Sequence, residues 1–344
     1  MDLSTKYLGL TLAHPLLPGA SPLADTLDGV KRLEDAGAPA IILRSLFEEQ
    51  ITREDSGMVH DLSVDEPSDA AGIAQFPEPG EFTFDPDHYL DHVRRVKAAV
   101  GVPVIASLNG TARASWLSSA KQIEEAGADA IELNIYHVPT DARETGAEVE
   151  RRLLDAVRHV KWAVSIPVAV KLSPFFSSIS NLAAELDALR ADGLVLFNRF
   201  YQPDVDPDML VAVPRLHLSS PDELLLRVRW LAILYGRVEA SLAATGGVRD
   251  SVDAVKAIMA GAQAVQVVAV LLTRGPEYLV EMRRELARWL EQHEYDSVRQ
   301  VQGCVSLMHH PNAEAFERGN YMRILQSWRP RVSPPPVRSS GGAQ

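Results

Sequence analysis

Four stretches of the chain repeat one phrase. EDAGAPAIILRS (34–45), EEAGADAIELNI (124–135), ALRADGLVLFNR (188–199) and IMAGAQAVQVVA (258–269) each read as the end of an amphipathic helix, a glycine stop and a short apolar run. Glycine suits the left-handed residue that closes a helix. A run that is apolar on both alternations suits a parallel strand buried on both faces. Four more runs fit the strand role: HPLLPGASP (14–22), VPVIASLNG (102–110), IPVAVKLSP (166–174) and EASLAATGG (239–247). Eight strands are therefore expected, starting near residues 15, 41, 103, 130, 167, 193, 240 and 264. Segments 87–100, 115–127, 146–164 and 248–261 carry helical apolar spacing between them, with Asp250 or Ser251 as a cap for the last. Eight such units predict a (β/α)8 TIM barrel, an α/β fold, in preference to a doubly wound sheet.

The 344 residues thus form one barrel domain over 1–328, with a disordered Pro/Ser/Gly-rich tail at 329–344. Two intervals exceed a simple connection: a long insertion after strand 2 (46–91) and another after strand 6 (200–228). Both leave the strand ends where a barrel builds its site, so each is expected to act as a lid. The formal net charge of −12 lies in the first of them. Residues 46–91 hold 13 acidic side chains and one basic residue, Arg53, while the rest of the chain carries 33 of each sign. The acidic balance argues against nucleic acid or an anionic membrane as partner. The chain has no run of 18 apolar residues and no secretory signal, so a cytoplasmic protein is expected. One cysteine, Cys304, excludes an internal disulfide, a cysteine-ligated zinc or an iron–sulfur cluster carried by this chain alone. His309 and His310 beside Pro311 have no third ligand in view, so no metal site is expected.

Polar residues gather where the strands end: Ala20 and Ser21, Arg44, Asn109, Asn134, Lys171, Asn198 with Arg199, and Gly246-Gly247 after Thr245. Taken singly, each asparagine could be a loop-closing side chain bonded to backbone. Six strands doing this together describe a polar ligand site at the barrel mouth. Lys171 follows the apolar PVAV, and suits either a Schiff base to a carbonyl or a fixed cation beside an anion. A Gly-Gly turn before a helix on the seventh of eight strands is a phosphate-binding arrangement.

On these residues the chain resembles the dihydroorotate dehydrogenase family, in its soluble group dependent on flavin mononucleotide (FMN). The resemblance covers about Leu8 to Gln326 and rests on LLPGAS, GADAIELNI, PVAVKLS, FNR and ATGGVRDSVDAVKAIMAGAQAVQV. It implies an FMN-dependent oxidoreductase acting on a CH–CH bond, with hydride transfer between a small, dihydroorotate-like substrate and flavin, as in pyrimidine biosynthesis. By resemblance, Ala20, Ser21, Arg44, Asn109, Asn134, Lys171 and Asn198 surround the flavin ring, and the backbone of Gly246, Gly247, Val268 and Ala269 holds its phosphate. Asn134, Asn198 and Arg199 would meet the substrate. A homodimer and a separate redox partner are also implied, the partner docking on the acidic 46–91 insertion.

The departures fall on the substrate side. Arg44 stands where the family has lysine, and the two cations are not equivalent. After strand 4 the family reads Asn-x-Ser-Cys-Pro-Asn with the cysteine as base; here His137 takes the cysteine position and Pro139 that of the second asparagine. His137 becomes the candidate proton carrier, with Lys171 as the second catalytic residue. Two other readings keep the barrel: aldolase-type Schiff-base chemistry on Lys171, and a non-catalytic flavin-carrying subunit of a redox complex.

Overall fold

The repeated phrase has a mechanical purpose at its polar position. Asp129 follows the helix-ending glycine of the second phrase, and its carboxylate accepts from the backbone N–H of Val104 and from Lys97. Asp192 in the third phrase accepts from Val168 N–H and Lys161. Gln263 in the fourth accepts from Leu242 N–H through its side-chain oxygen. In each case the residue just before one strand holds an N–H in the first two residues of the strand before it. The phrase recurs because neighbouring strands must be stapled at their entry, where ladder bonds have not yet begun.

The computed structural model describes residues 1–47, 86–110, 113–199, 202, 204–213, 217–309 and 319–327. Eight parallel strands make the barrel: β1 Leu16–Pro18, β2 Ile41–Phe47, β3 Val104–Asn109, β4 Ala130–Asn134, β5 Val168–Leu172, β6 Gly193–Leu196, β7 Ser241–Thr245 and β8 Ala264–Val267. They are ordered β1-β8-β7-β6-β5-β4-β3-β2, so first and last strands pair and the sheet is nearly closed. Helices α1 Leu27–Asp35, α2 Pro86–Ala99, α3 Arg113–Glu125, α4 Gly146–Ala163, α5 Ile179–Ala188, α6 Pro221–Leu234 and α7 Ser251–Ala260 alternate with them. The short α8 Ala269–Arg274 and the longer α9 Tyr278–Gln292 follow β8. This is the expected (β/α)8 barrel, with strand starts within about a residue of the sequence reading, and Asp250 caps α7 through the N–H of Asp253.

Two expectations are corrected. The glycine of the third phrase is not a helix stop: Arg190 takes the left-handed backbone there, at φ 61°. Gly193 instead opens β6, where a Cβ would sit 2.5 Å from Leu8 Cδ2 and 3.3 Å from the Ser241 carbonyl. Small size, not backbone freedom, is what that position requires. The interval after β6 is also shorter than expected, because α6 begins at Pro221. Its described part contains an antiparallel hairpin of Asp204–Asp206 with Val211–Val213. Most of the acidic 46–91 insertion, the whole 329–344 tail and His310 lie outside the described residues.

A second hairpin, Thr5–Tyr7 with Leu10–Leu12, closes the bottom of the barrel. Tyr7, Leu8 and Leu12 pack with Leu17, Ile42, Ile105, Ala130, Ala169, Val195, Ala243 and Ala264, one side of each strand. The other side packs outward against the helices in a larger cluster. Apolar side chains on both sides, with alanines and branched residues mixed inside the barrel, explain why these strands read as continuously apolar. Among the described residues no helix is long and apolar enough to cross a membrane.

At the entry to β1, His14 is 1 % exposed and bridges two elements. Its Nε2 meets the Gly37 carbonyl at 2.8 Å beyond α1, and its Nδ1 accepts from Leu16 N–H at 3.3 Å. Both bonds fit the neutral ring. Burial, reinforced by the charge of Arg283 and only partly offset by the Gly37 bond, lowers its pKa to about 4. Below pH 6.5 the unfolded chain takes up a proton that the native ring refuses until near pH 4, so this contribution to stability is intact above 6.5 and lost as pH falls between those values. Denaturant unfolding across that window is expected to lose up to roughly 3 kcal/mol through this group. His14→Gln flattens that fall; an unchanged pH slope in the variant counts against the assignment.

Candidate functional site

Alternation along the inward sides of the strands decides what reaches the barrel axis. In β4 the inward residues are Ala130, Glu132 and Asn134; in β5 they are Ala169 and Lys171. Ladder register sets Asn109, Asn134 and Lys171 as successive partners across β3, β4 and β5. Beneath them lies Glu132, 1 % exposed. The Lys171 ammonium donates to Glu132 Oε1 at 2.8 Å and weakly to Gln266 Oε1 at 3.4 Å, while the Gln266 amide donates to the other Glu132 oxygen. Each charge inside the barrel is therefore matched, as burial demands. Tyr7 rises from the hairpin below; its hydroxyl lies beside Gln266 without a well-formed hydrogen bond, and burial with the nearby Glu132 charge pushes its pKa well up.

Above this network a cavity of about 160 Å³ opens at the C-terminal ends of β5 to β8 and β1. Eight residues singled out from sequence line it: Ala20, Lys171, Asn198, Arg199, Gly246, Gly247, Val268 and Ala269. Asn134 joins them through Asn198, whose Nδ2 donates to its Oδ1 at 2.6 Å. Thr245, named with the glycines at the end of β7, lines the same space, as do Gln266 and Ser219, which the sequence reading missed. For Gln266 the signal was available: a lone amide inside AVQVV is at odds with a wholly apolar strand.

The turn after β7 has Gly246 at φ +90° and Gly247 at φ +82°. A Cβ on Gly247 would stand 2.5 Å from Leu224 N and 2.9 Å from the Ser220 carbonyl, so the turn and the start of α6 touch through that missing side chain. Ser219 is held by Arg249, whose Nε and Nη2 both donate to its carbonyl. The hydroxyl of Ser21 is buried with no hydrogen-bond partner. An ammonium, two amides and a side-chain-free turn around one space, with the orphaned Ser21 hydroxyl next in the chain to Ala20 of its wall, fit a planar, phosphorylated cofactor.

Three candidates lie apart from this cavity's walls. Asn109 is buried at the end of β3, two strands from Lys171. Arg44 sits where the β2–β3 register shifts between Ile42 and Ser45, and its Nη2 pairs with Asp25 at 2.8 Å. A bulge re-aims its side chains; here the backbone N–H and C=O of Ser107, opposite the shift, are satisfied by the Tyr89 hydroxyl. His137 lies on the loop after β4, in an apolar chamber of about 440 Å³ shared with Ile135, Val138, Pro139, Leu153 and Phe176. Its Nε2 is 3.0 Å from Glu144 Oε2 and 3.0 Å from Arg152 Nη1, and Arg152 also pairs with Glu144. Glu144 and Arg152 were not legible as partners, since seven and fifteen residues of loop and helix separate them from His137.

Fold and cavity together define a (β/α)8 barrel with a polar cavity and a glycine turn at its mouth. A family model described as dihydroorotate dehydrogenase matches residues 3–290, and the chain belongs to that family of oxidoreductases. The catalytic subunit of dihydroorotate dehydrogenase B (NAD(+)) from Methanothermobacter thermautotrophicus is 28 % identical over 308 residues, 88 % of this chain and 97 % of that one. The protein of the same description from Pyrococcus furiosus is 25 % identical over 310 residues, covering 88 % and 98 %. A putative dihydroorotate dehydrogenase A (fumarate) from Aeropyrum pernix is 33 % identical over 207 residues, 59 % of this chain and 67 % of that one.

Removing one member of the central ion pair tests its importance. Lys171→Met leaves the Glu132 carboxylate buried without its cation and is expected to cost about 3–5 kcal/mol of stability. Adding Glu132→Gln is expected to recover a large part of the loss, by denaturant unfolding of both variants. A double variant no more stable than the single one would show that the pair does not act as a unit.

Proposed function

We propose that the chain is an FMN-dependent oxidoreductase that oxidises or reduces a CH–CH bond in a small organic substrate of dihydroorotate type. The observation that carries this reading is the single cavity that joins Lys171, Asn198 and the Gly246-Gly247 turn, with Asn134 bonded to Asn198 at its edge. FMN bound there would supply a two-electron acceptor. Gly246, Gly247, Val268 and Ala269 would hold its phosphate through backbone, and Ala20 and Ser21 would lie beside it, which would give the Ser21 hydroxyl the hydrogen-bond partner it lacks. Lys171, anchored by Glu132, presents a fixed positive charge that favours the reduced, anionic ring. Asn134 and Asn198 orient the substrate amide or carboxylate edge, and Arg199 meets its charge.

His137 is the proton carrier in this reading. Glu144 Oε2 and Arg152 Nη1 each stand 3.0 Å from its Nε2 and fix the orientation of the ring, the support that an acid–base histidine needs. One side of the ring meets apolar walls, and the other borders an open polar cleft with Arg143, Glu148 and Asp155, through which a proton can reach solvent. Aldolase-type chemistry is disfavoured, because Lys171 is tied to a buried carboxylate and an ion-paired ammonium is not a nucleophile. The electrons leave through a partner subunit; the two dihydroorotate dehydrogenase B relatives are each named as a catalytic subunit. The acidic 46–91 insertion is the surface proposed for a basic partner, and by its charge the docking would weaken with salt.

The purified protein is expected to take up FMN, show flavin absorbance and lose it with dithionite; a chain that binds no FMN overturns the reading. Anaerobic dihydroorotate is the first substrate to test for bleaching. His137→Ala is expected to slow substrate-dependent bleaching by about 10²–10⁴-fold while FMN affinity is unchanged. Equal rates in variant and parent remove His137 from the chemistry.

A further inference from the structure

The Gly246-Gly247 turn has a cation behind it that the backbone reading of the phosphate site does not use. Arg227 lies on the second turn of α6 and is 5 % exposed. Its Nε donates to the Thr245 carbonyl at 3.0 Å and its Nη1 to the Glu223 carbonyl at 2.7 Å. These bonds fix the guanidinium against the turn, so that a Cβ added to Gly246 would stand 3.0 Å from Nη2 and 3.4 Å from Cζ. Only glycine allows that approach. The Glu223 carboxylate is 3.7 Å from Nη2 and a third exposed, a loose counterion for so deep a charge. A second cation, Arg199, stands in the cavity and adds repulsion. Desolvation is the larger cost, and both push the guanidinium pKa down.

Two backbone carbonyls and a partly exposed carboxylate at 3.7 Å therefore hold a buried positive charge beside the glycine turn. Such a charge is costly unless an anion completes it. We propose that Arg227 is the charge-supplying positioning residue of the phosphate site, selecting a phosphorylated flavin over the same ring system without its phosphate. It acts through the Gly246 backbone rather than by contact with the ring. This rests on the FMN reading above.

Flavin-fluorescence titration of the full chain with FMN and with riboflavin separates the possibilities. The parent is expected to prefer FMN. Arg227→Gln keeps a donor for the Thr245 carbonyl but removes the charge; it should weaken FMN by about tenfold or more and leave riboflavin unchanged. Arg227→Lys, which keeps the charge, should stay closer to the parent. Glu223→Gln serves if the Arg227 variants do not fold: its oxygen can still accept from Ser220 N–H at the helix start, while the loose counterion is gone, so the preference for FMN should rise. Equal loss of both flavins in Arg227→Gln would mean that the arginine only shapes the turn, and parent-like binding of both would mean that its charge does nothing. An unchanged preference in Glu223→Gln likewise overturns the proposal. A parent that binds neither flavin refutes the FMN reading itself, a different result from a parent that binds both equally, which leaves that reading and removes Arg227's role.

Discussion

The ion pair between Glu132 and Lys171 sits where charge is hardest to keep, on the axis of a barrel otherwise filled by alanine, leucine and isoleucine. Neither partner could stay charged there alone. Together, and with Gln266 bonded to both, they let a cation stand at the floor of the mouth while the barrel below remains dry. Three strands, β4, β5 and β8, must keep their register for the three side chains to meet. A slip of one residue in any of them would turn its polar group outward among the helices, where no partner waits. The pair thus specifies the barrel as much as it equips the site.

How much of this was legible follows from the kind of signal involved. The strands were legible because the helix–glycine–strand phrase is local, and in three of its four copies Asp129, Asp192 and Gln263 serve the neighbouring strand through the same kind of contact. The cavity was legible because polar residues at strand ends share one destination. Glu132 escaped notice although it lies two residues before Asn134, since attention to strand ends passed over the alternation that carries both inward. Gly193 was misread because helix stop and packing gap look alike in a sequence; only the approach of Leu8 tells them apart. Arg227 gave no hint at all. An arginine in LLLRVRW reads as a solvated helix position, and its burial depends on how α6 meets the turn after β7.

The mouth divides its chemistry between two spaces. Cations, amides and glycine backbone gather around β5 to β8, while the loops after β4 and β5 make a chamber with apolar walls and one polar corner of His137, Glu144 and Arg152. Ser173 lies in that chamber only two residues beyond Lys171, so the two spaces adjoin along β5. The family polar residue lost after β4, the second asparagine replaced by Pro139, falls on the apolar side together with His137. These two departures therefore border this chamber and not the Gly246-Gly247 turn.

The hairpin at the bottom has a temporal side. Thr5 donates to the Gln263 carbonyl, Leu8 N–H donates to the Ser241 hydroxyl, and Asp2 bonds to backbone at Asp296 and Val298. The hairpin thus finds its partners only once segments some 230 to 300 positions further along the chain are in place. Until then Tyr7, Leu8 and Leu12 are apolar surface without a home, and a half-barrel has an open underside. Its docking ties the start of the barrel to β7, β8 and the segment beyond α9, so a seated plug reports that sequence-distant parts of the fold have met.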